Sequence, residues 1–250
     1  MTHTDIPVRQ ARDKALDLLK WLAMLSMVMD HLRYVGWHAN WLYVPGRLAF
    51  PWFCLAIAVN LARRRADDVQ SRVHWKYLAW LAVFALLAEL PYRLFMTDEA
   101  YTLNVLPTLA LGLLVAQGWA GRALSIRVLG LAALTVGVIF SDHLMFGVFG
   151  VLLPLACLLV LMRPIGFAIV AGVVCLFSNA WRQILEGVQW GDPISVGALI
   201  ACLLGPALGI MLLRTQPQMS VPPMRRWAYA IYPLHFLLLL GLRQVLASQV

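Results

Sequence analysis

Two short stretches place ionisable side chains inside long apolar flanks: Met29-Asp30-His31 near the start of the chain and Tyr232-Pro233-Leu234-His235 near its end. An ionisable group near the centre of a bilayer costs about 2.5–3.5 kcal/mol on insertion scales, so such residues mark a site unless a partner accounts for them. Histidine titrates near neutrality, which suits it to take a proton from a nucleophile and pass it on. Asp17, Lys20, Met24, Met27 and His31 recur at i, i+3, i+7, i+10 and i+14, steps that share one helical face. Lys20 and His31 then lie nearly in line, about 16 Å apart along the axis, with two flexible thioethers between them. Asp30 directly precedes His31 and points about 100° away, so it does not orient that imidazole. It reaches Arg33 or Tyr34 at i+3 and i+4, or another helix. The competing reading of His31 is a hydrogen-bonded histidine that only packs.

Four further places carry polar groups that a lipid-facing helix would not. Arg47 stands four residues before Pro51, whose missing N–H frees the Arg47 carbonyl and opens the helix beside a cation. Arg47 either belongs to a site or snorkels to the outer interface. Glu89 and Arg93 have i, i+4 spacing in the favourable order, and the deeper Glu89 is also a candidate partner for His31 or Arg47. Asn104 and Thr108 open the following helix as hydrogen-bond glue or substrate contacts. Asp142-His143 ends an apolar span and is expected to face the outer aqueous side. Pro233 frees the Tyr229 carbonyl, and Tyr232 and His235 share a face at i, i+3, so that two histidines on the first and last spans form either a site or a proton relay.

The elements that must position these residues are set by composition. Hydrophobic residues make up 62% of the 250 and charged residues 13%, about half the charged share of a soluble domain. Solidly apolar runs such as Val128–Phe140 and Val148–Met162 exclude the alternation of a barrel strand, leaving an all-α transmembrane bundle. The expected spans are 16–35, 45–61, 75–95, 103–119, 128–140, 148–162, 165–181, 194–213 and 228–247, about nine in one domain covering 1–250, after a tail of residues 1–14. Alternating the connectors puts 15 of the 20 Lys and Arg on the N-terminal side, against Arg33, Arg47, Arg93, Arg182 and Arg243 on the other. That bias predicts a cytoplasmic N-terminus. The net charge of +8 therefore reads as topology, and no nucleic-acid partner is expected. No cleavage motif follows the first apolar run, so that run is expected to stay as an anchor. Cys54, Cys157, Cys175 and Cys202 are dispersed in apolar segments without CxxC or Cys/His spacing, so core thiols are expected and no metal site or disulfide framework.

Taken together, Lys20 with Met29-Asp30-His31, Gly46-Arg47-Leu-Ala-Phe50-Pro51, Asn60-Leu61, Glu89-Leu-Pro91-Tyr92, Asn104-Val-Leu-Pro-Thr108 with Gly112, and Tyr229-Ala-Ile-Tyr232-Pro233-Leu-His235 resemble the TraX family over nearly the whole chain. That family is named for a conjugative-transfer protein that acetylates a pilin N-terminus, and it is similar to the membrane acyltransferase superfamily that modifies cell-surface sugars. The resemblance implies a bacterial inner-membrane enzyme that moves acetyl from cytosolic acetyl-CoA to a pilin or glycan acceptor, with the lipid bilayer as its other partner. It implies His31 as the base, with Asp30, Glu89, His235 and Tyr232 completing the catalytic group. Lys20, Arg47 and the Arg63, Arg64, Arg65 cluster would hold coenzyme A, and Asn104, Thr108 and Arg93 would contact the acceptor. Superfamily members mostly carry arginine eleven positions before the histidine. Lysine at 20 loses the bidentate geometry for phosphate.

Two other classes fit the same residues. A proton-coupled transporter also buries Asp, Glu and His and uses proline-broken helices. A non-catalytic pilus or envelope assembly factor needs polar groups only to glue helices. Binding of acetyl-CoA separates the enzyme from both.

Overall fold

The computed structural model describes residues 13–36, 39–66, 73–97, 100–161, 163–215, 217–224 and 226–248. Arg9, Arg12, Arg72 and Arg225, used in the charge count above, lie outside them, as do the side chains of Arg64 and Arg65. The described chain is all-helical: α1 Lys14–Leu32, α2 Tyr43–Gly46, α3 Ala49–Ala66, α4 Trp75–Met96, α5 Val105–Ala120, α6 Leu124–Ile139, α7 Gly147–Leu161, α8 Ala168–Ser178, α9 Trp181–Gln189, α10 Pro193–Arg214 and α11 Ile231–Ala247. No strand occurs among the described residues; Leu103 and Leu144 form one isolated bridge.

Apolar packing against neighbours, not propensity, holds these helices. α5 sits against α4, α6 and α7, α3 packs on α1 and α7, α8 lies between α7 and α10, and α11 leans on α4. Where α5 crosses α6, a Cβ on Gly118 would stand 2.7 Å from the Gly130 Cα. Only a glycine pair lets the two backbones approach so closely. Leu86, Leu90, Leu131, Leu238 and many other large apolar side chains point outward and stay exposed. That is the outer surface of a protein dissolved in lipid.

Among the described residues, four helices are long and apolar enough to cross a membrane: Asn40–Arg63, Trp75–Met96, Pro193–Arg214 and Ala228–Ala247. A bent pair, Ile165–Ser178 with Trp181–Gln189, would make five. The nine expected spans exceed this. α5, α6 and α7 have 16, 16 and 15 residues, below the roughly 20 that a typical core requires, and α1 carries Asp17, Lys20 and Asp30.

Three expected spans also differ in shape. The span drawn over 16–35 stops at Leu32, because Arg33 to Gly36 turns and Gly36 takes a positive φ of 105°. His31 thus stands in the last turn of its helix. The span over 45–61 lies within the helical stretch Asn40–Arg63, whose α-helical bonding lapses at Arg47–Leu48 between α2 and α3 without a sharp bend, with Pro51 in the first turn of α3, where its missing N–H costs no helical bond. The span over 165–181 breaks at Asn179–Ala180, and α9 leaves at 97° where a connector was expected. All three breaks converge on the same polar centre.

Candidate active site

The C-terminal turn of α1 and the second turn of α11 bring the two histidines together. His31 Nδ1 lies 3.0 Å from His235 Nε2, and His235 Nδ1 lies 3.3 Å from the Ile231 carbonyl oxygen one turn back. A carbonyl oxygen only accepts, so with both rings neutral His235 carries its hydrogen on Nδ1 and accepts at Nε2. His31 must then donate from Nδ1. Its Nε2 is left with a free lone pair, the arrangement a general base requires. Phe236, at 4.9 Å, and Phe95, edge-on at 6.2 Å, enclose the His31 ring.

Asp30 leaves His31 to others, as the spacing argued. Its Oδ2 takes Nη2 of Arg47 at 2.8 Å, and Oδ1 lies 3.2 Å from Arg33 Nε as an ion pair without a hydrogen bond. The contact between α1 and α2 depends on Gly46, because a Cβ there would sit 2.6 Å from the Asp30 Cβ. Arg47 also donates from Nη1 to Asn179 Oδ1 and lies 4.1 Å over the Tyr43 ring. Asn179 is fixed in turn by donating from Nδ2 to the Cys175 carbonyl at 2.7 Å. Arg47 thus turns in to Asp30 and Asn179 rather than out to an interface, held at the lapse between α2 and α3 on one side and at the break between α8 and α9 on the other.

A second network surrounds the start of α5. Asn104, fully buried, caps the helix by accepting from the Leu106 N–H at 3.1 Å and donates from Nδ2 to Glu89 Oε2 at 2.7 Å and to the Ala85 carbonyl at 2.8 Å. Glu89 Oε1 pairs with the exposed Arg93 at 2.7 Å. The expectation that Glu89 reaches His31 or Arg47 is therefore corrected: its two oxygens are taken by Arg93 and by the α5 cap. The link to the centre runs through Val105, whose N–H donates to the Tyr232 hydroxyl at 3.3 Å. Thr108 donates to the Met145 carbonyl at 2.7 Å and so ties α5 to the turn before α7. Asp142 and His143 are exposed.

Two cavities flank the histidines. The smaller, of about 60 Å³, is bounded by Met27, Asp30, His31, Arg47, Asn179 and the Phe50–Phe146 ring stack. The larger, of about 920 Å³, is lined by Lys20, Met24, Arg63, His74, Lys76, Tyr77, Trp80 and Tyr229 among others. Phe53, Val105 and Tyr232 line both, so the two spaces meet at Tyr232. The track read on α1 is distributed in that order, with Lys20 and Met24 on the large cavity and Met27 and His31 on the small one. Lys20 is 3.9 Å from Asp17, and Arg63 is paired with Asp13.

The structure thus brings together His31, His235, Tyr232, Asp30 and Arg47 and, around the larger cavity, Lys20 and Arg63. Arg47 stands among the first group, away from the basic lining where a coenzyme contact was expected. Glu89, Asn104, Thr108 and Arg93 form the frame of α4 and α5 and line neither cavity. The sequence reading missed Asn179, Tyr43, His74, Lys76 and Trp80. An asparagine inside Phe177-Ser178-Asn179-Ala180 was a signal of the kind applied to Asn104; His74 and Lys76 lay among connector charges and had none. The four cysteines are buried, and no group of three or more His, Cys, Asp or Glu among the described residues is arranged to hold a metal ion.

A family model described as TraX protein matches residues 15–243. That range includes every residue placed in the two cavities. No curated protein and no solved structure matches the chain.

Proposed function

The chain belongs to the TraX family, and from that membership and the geometry around His31 we propose that it is a membrane-embedded, acyl-CoA-dependent acetyltransferase. It moves an acetyl group from cytosolic acetyl-CoA to an amine or hydroxyl of an extracytoplasmic acceptor, a pilin N-terminus or a surface glycan, in a bacterial cytoplasmic membrane. The observation that carries this reading is the His31–His235 pair, whose His31 Nε2 is free, beside a small chamber that shares Tyr232 with a large cavity lined by basic side chains. A thioester is already activated, so the protein has to supply a base, a donor for the developing oxyanion, and a path for the acyl arm.

In this mechanism His31 Nε2 takes the proton of the acceptor as its nitrogen or oxygen attacks the thioester carbonyl. His235 accepts the His31 Nδ1–H throughout, holding the ring and dispersing the charge of the imidazolium. Collapse of the tetrahedral intermediate breaks the C–S bond, and the imidazolium returns the proton to the departing thiolate. The Tyr232 hydroxyl accepts from Val105 and so retains its own hydrogen for the oxyanion. Asp30 and Arg47 organise the chamber and compensate each other's charge there. Lys20 and Arg63 supply cations for the coenzyme phosphates, and Met24 lies along the arm. The topology belonging to this reading has a cytoplasmic N-terminus and about nine spans, the short α5 to α7 crossing where neighbouring helices thin the bilayer.

The test is acetyl-CoA binding and acetyl transfer by the purified full-length chain. Saturable binding, followed by acetylation of pilin peptide or glycan acceptor, is the expected result. A chain that binds no acetyl-CoA is not this enzyme. The buried histidine pair also suits a proton-coupled transporter, which would acidify or alkalinise proteoliposomes on addition of its solute without consuming a thioester.

A further inference from the structure

The larger cavity has an aromatic wall that the acetyl-transfer chemistry does not use. Trp80, Phe84 and Tyr229 hold centroids 5.8, 6.4 and 5.5 Å apart with planes within 15–24° of parallel. Three parallel rings stacked in a line would give one long and two short separations. Three nearly equal separations describe a compact cluster of offset, near-parallel rings rather than a linear stack. Trp80 and Tyr229 line the cavity. Tyr77 borders it too, its ring edge-on to His74 at 5.6 Å. The lining also collects Lys20, Arg63, His74 and Lys76 but no Asp or Glu. Lys76 is exposed and has no carboxylate partner among the described residues.

A flat π face beside a cluster of cations is matched by a ligand with a planar heteroaromatic ring and several phosphates. Acyl arms and sugars lack the first, and lipid headgroups lack the ring. We propose that the wall of Trp80 and Tyr229 is a nucleobase subsite, on which the purine of the acyl donor stacks while its phosphates face Lys20, Arg63 and Lys76. The proposal rests on the donor being coenzyme A. It adds that recognition of the base is a function of α4 and the turn just before α11, separable from the histidine centre. Tyr229 and Tyr232 lie one turn apart across the start of α11, so the stacked base and the thioester carbonyl would be read by neighbouring parts of one segment.

Three probes on the purified full-length chain test this: acetyl-CoA, adenosine 3′,5′-bisphosphate and S-acetylpantetheine. Base stacking on an aromatic side chain is lost on its truncation with about tenfold or greater weakening. Trp80→Ala is therefore expected to weaken acetyl-CoA and the bisphosphate by about that factor and to leave S-acetylpantetheine unchanged, and Trp80→Phe is expected to restore both. Trp80→Leu, which keeps apolar volume without a π face, provides the same comparison if the alanine variant does not fold. Equal weakening of S-acetylpantetheine would mean that the wall grips the arm, and an unchanged bisphosphate affinity would mean that no base binds there; either overturns the subsite. If the bisphosphate binds in a Trp80-dependent way while acetyl-CoA supports no transfer, the subsite stands and the transferase reading falls. If transfer proceeds without any Trp80-dependent bisphosphate binding, the transferase stands and the subsite falls.

Discussion

The histidine centre and the basic lining of the larger cavity are both polar islands in an apolar bundle, but they are built on opposite plans. At the centre the groups hold one another in place: His31 by His235, His235 by His31 and the Ile231 carbonyl, Asp30 by Arg47 and Arg33, and Arg47 by Asp30, Asn179 and Tyr43. Along the lining, Lys20 has a carboxylate at 3.9 Å, Arg63 reaches Asp13 from an exposed position and Lys76 is open. Fixed geometry suits a step that makes and breaks bonds; long, loosely held cations suit capture of a mobile anion. The difference predicts that damage at the centre reduces turnover or unfolds the chain, whereas damage along the lining changes affinity and its salt dependence.

The strongest challenge to that division is His31→Ala. It removes the base and should lower acetyl transfer by about 10²–10⁴-fold, with the helical circular dichroism and acetyl-CoA affinity retained; a loss of binding with unchanged turnover would reverse the assignment. Next comes Arg47→Ala, which leaves the half-buried Asp30 with Arg33 as its remaining counter-ion. Breaking a fully buried pair on one side costs about 3–5 kcal/mol, so a fraction of that, read as a lower midpoint of denaturant or thermal unfolding, is expected. Asp30→Asn combined with Arg47→Gln should recover much of that loss, and if the double variant is no more stable than the single one, the pair is not what holds α2 to α1.

His235→Asn tests orientation rather than proton transfer. It removes the acceptor that fixes the His31 tautomer, and turnover should drop by about 10–100-fold, mostly in kcat, with an altered pH profile; an effect confined to KM would place His235 with the acceptor. Lys20→Ala should raise the Kd for acetyl-CoA several-fold, flatten its dependence on salt, and leave kcat unchanged, measured by calorimetry at low and moderate ionic strength. The smallest effect lies outside both regions. Asp192 caps α10, and the Ser195 hydroxyl and N–H bonded to its carboxylate hold its titration below the usual carboxylate range. A depressed carboxylate stabilises the folded state above its unfolded titration range and loses that contribution as pH falls through its folded one. Asp192→Asn should therefore lower stability slightly at neutral pH, leave it nearly unchanged in acid, and so flatten the acid-side decline.

Much of the centre was legible before any fold was known, because cost in lipid singles out residues one at a time. Asp30, His31, Arg47, Tyr232 and His235 are each anomalous in an apolar run, and helical spacing alone excluded Asp30 as the orienting partner of His31. Periodicity likewise put Lys20, Met24, Met27 and His31 on one face. The lining was less legible. His74 and Lys76 lie in a connector where positive charge is ordinary, and Trp80 and Tyr229 are unexceptional aromatics in a membrane helix.

What the sequence by itself determined is the solvent, the all-helical class and the cast of polar residues, since hydropathy and ionisation are properties of single side chains and short windows. Pairing is a property of two distant segments, and only the tertiary structure decided it. His31 and His235 are separated by 204 positions, and nothing in either local pattern specifies that one ring should donate to the other. Glu89 shows the same limit from the other side: its charge marked it for the centre, and only the packing of α4 on α5 assigned it to Asn104 and Arg93. The breaks at Arg47–Leu48 and Asn179–Ala180 complete the case. Hydropathy averages over such breaks, and it takes the folded bundle to reveal that they meet where the buried charges are.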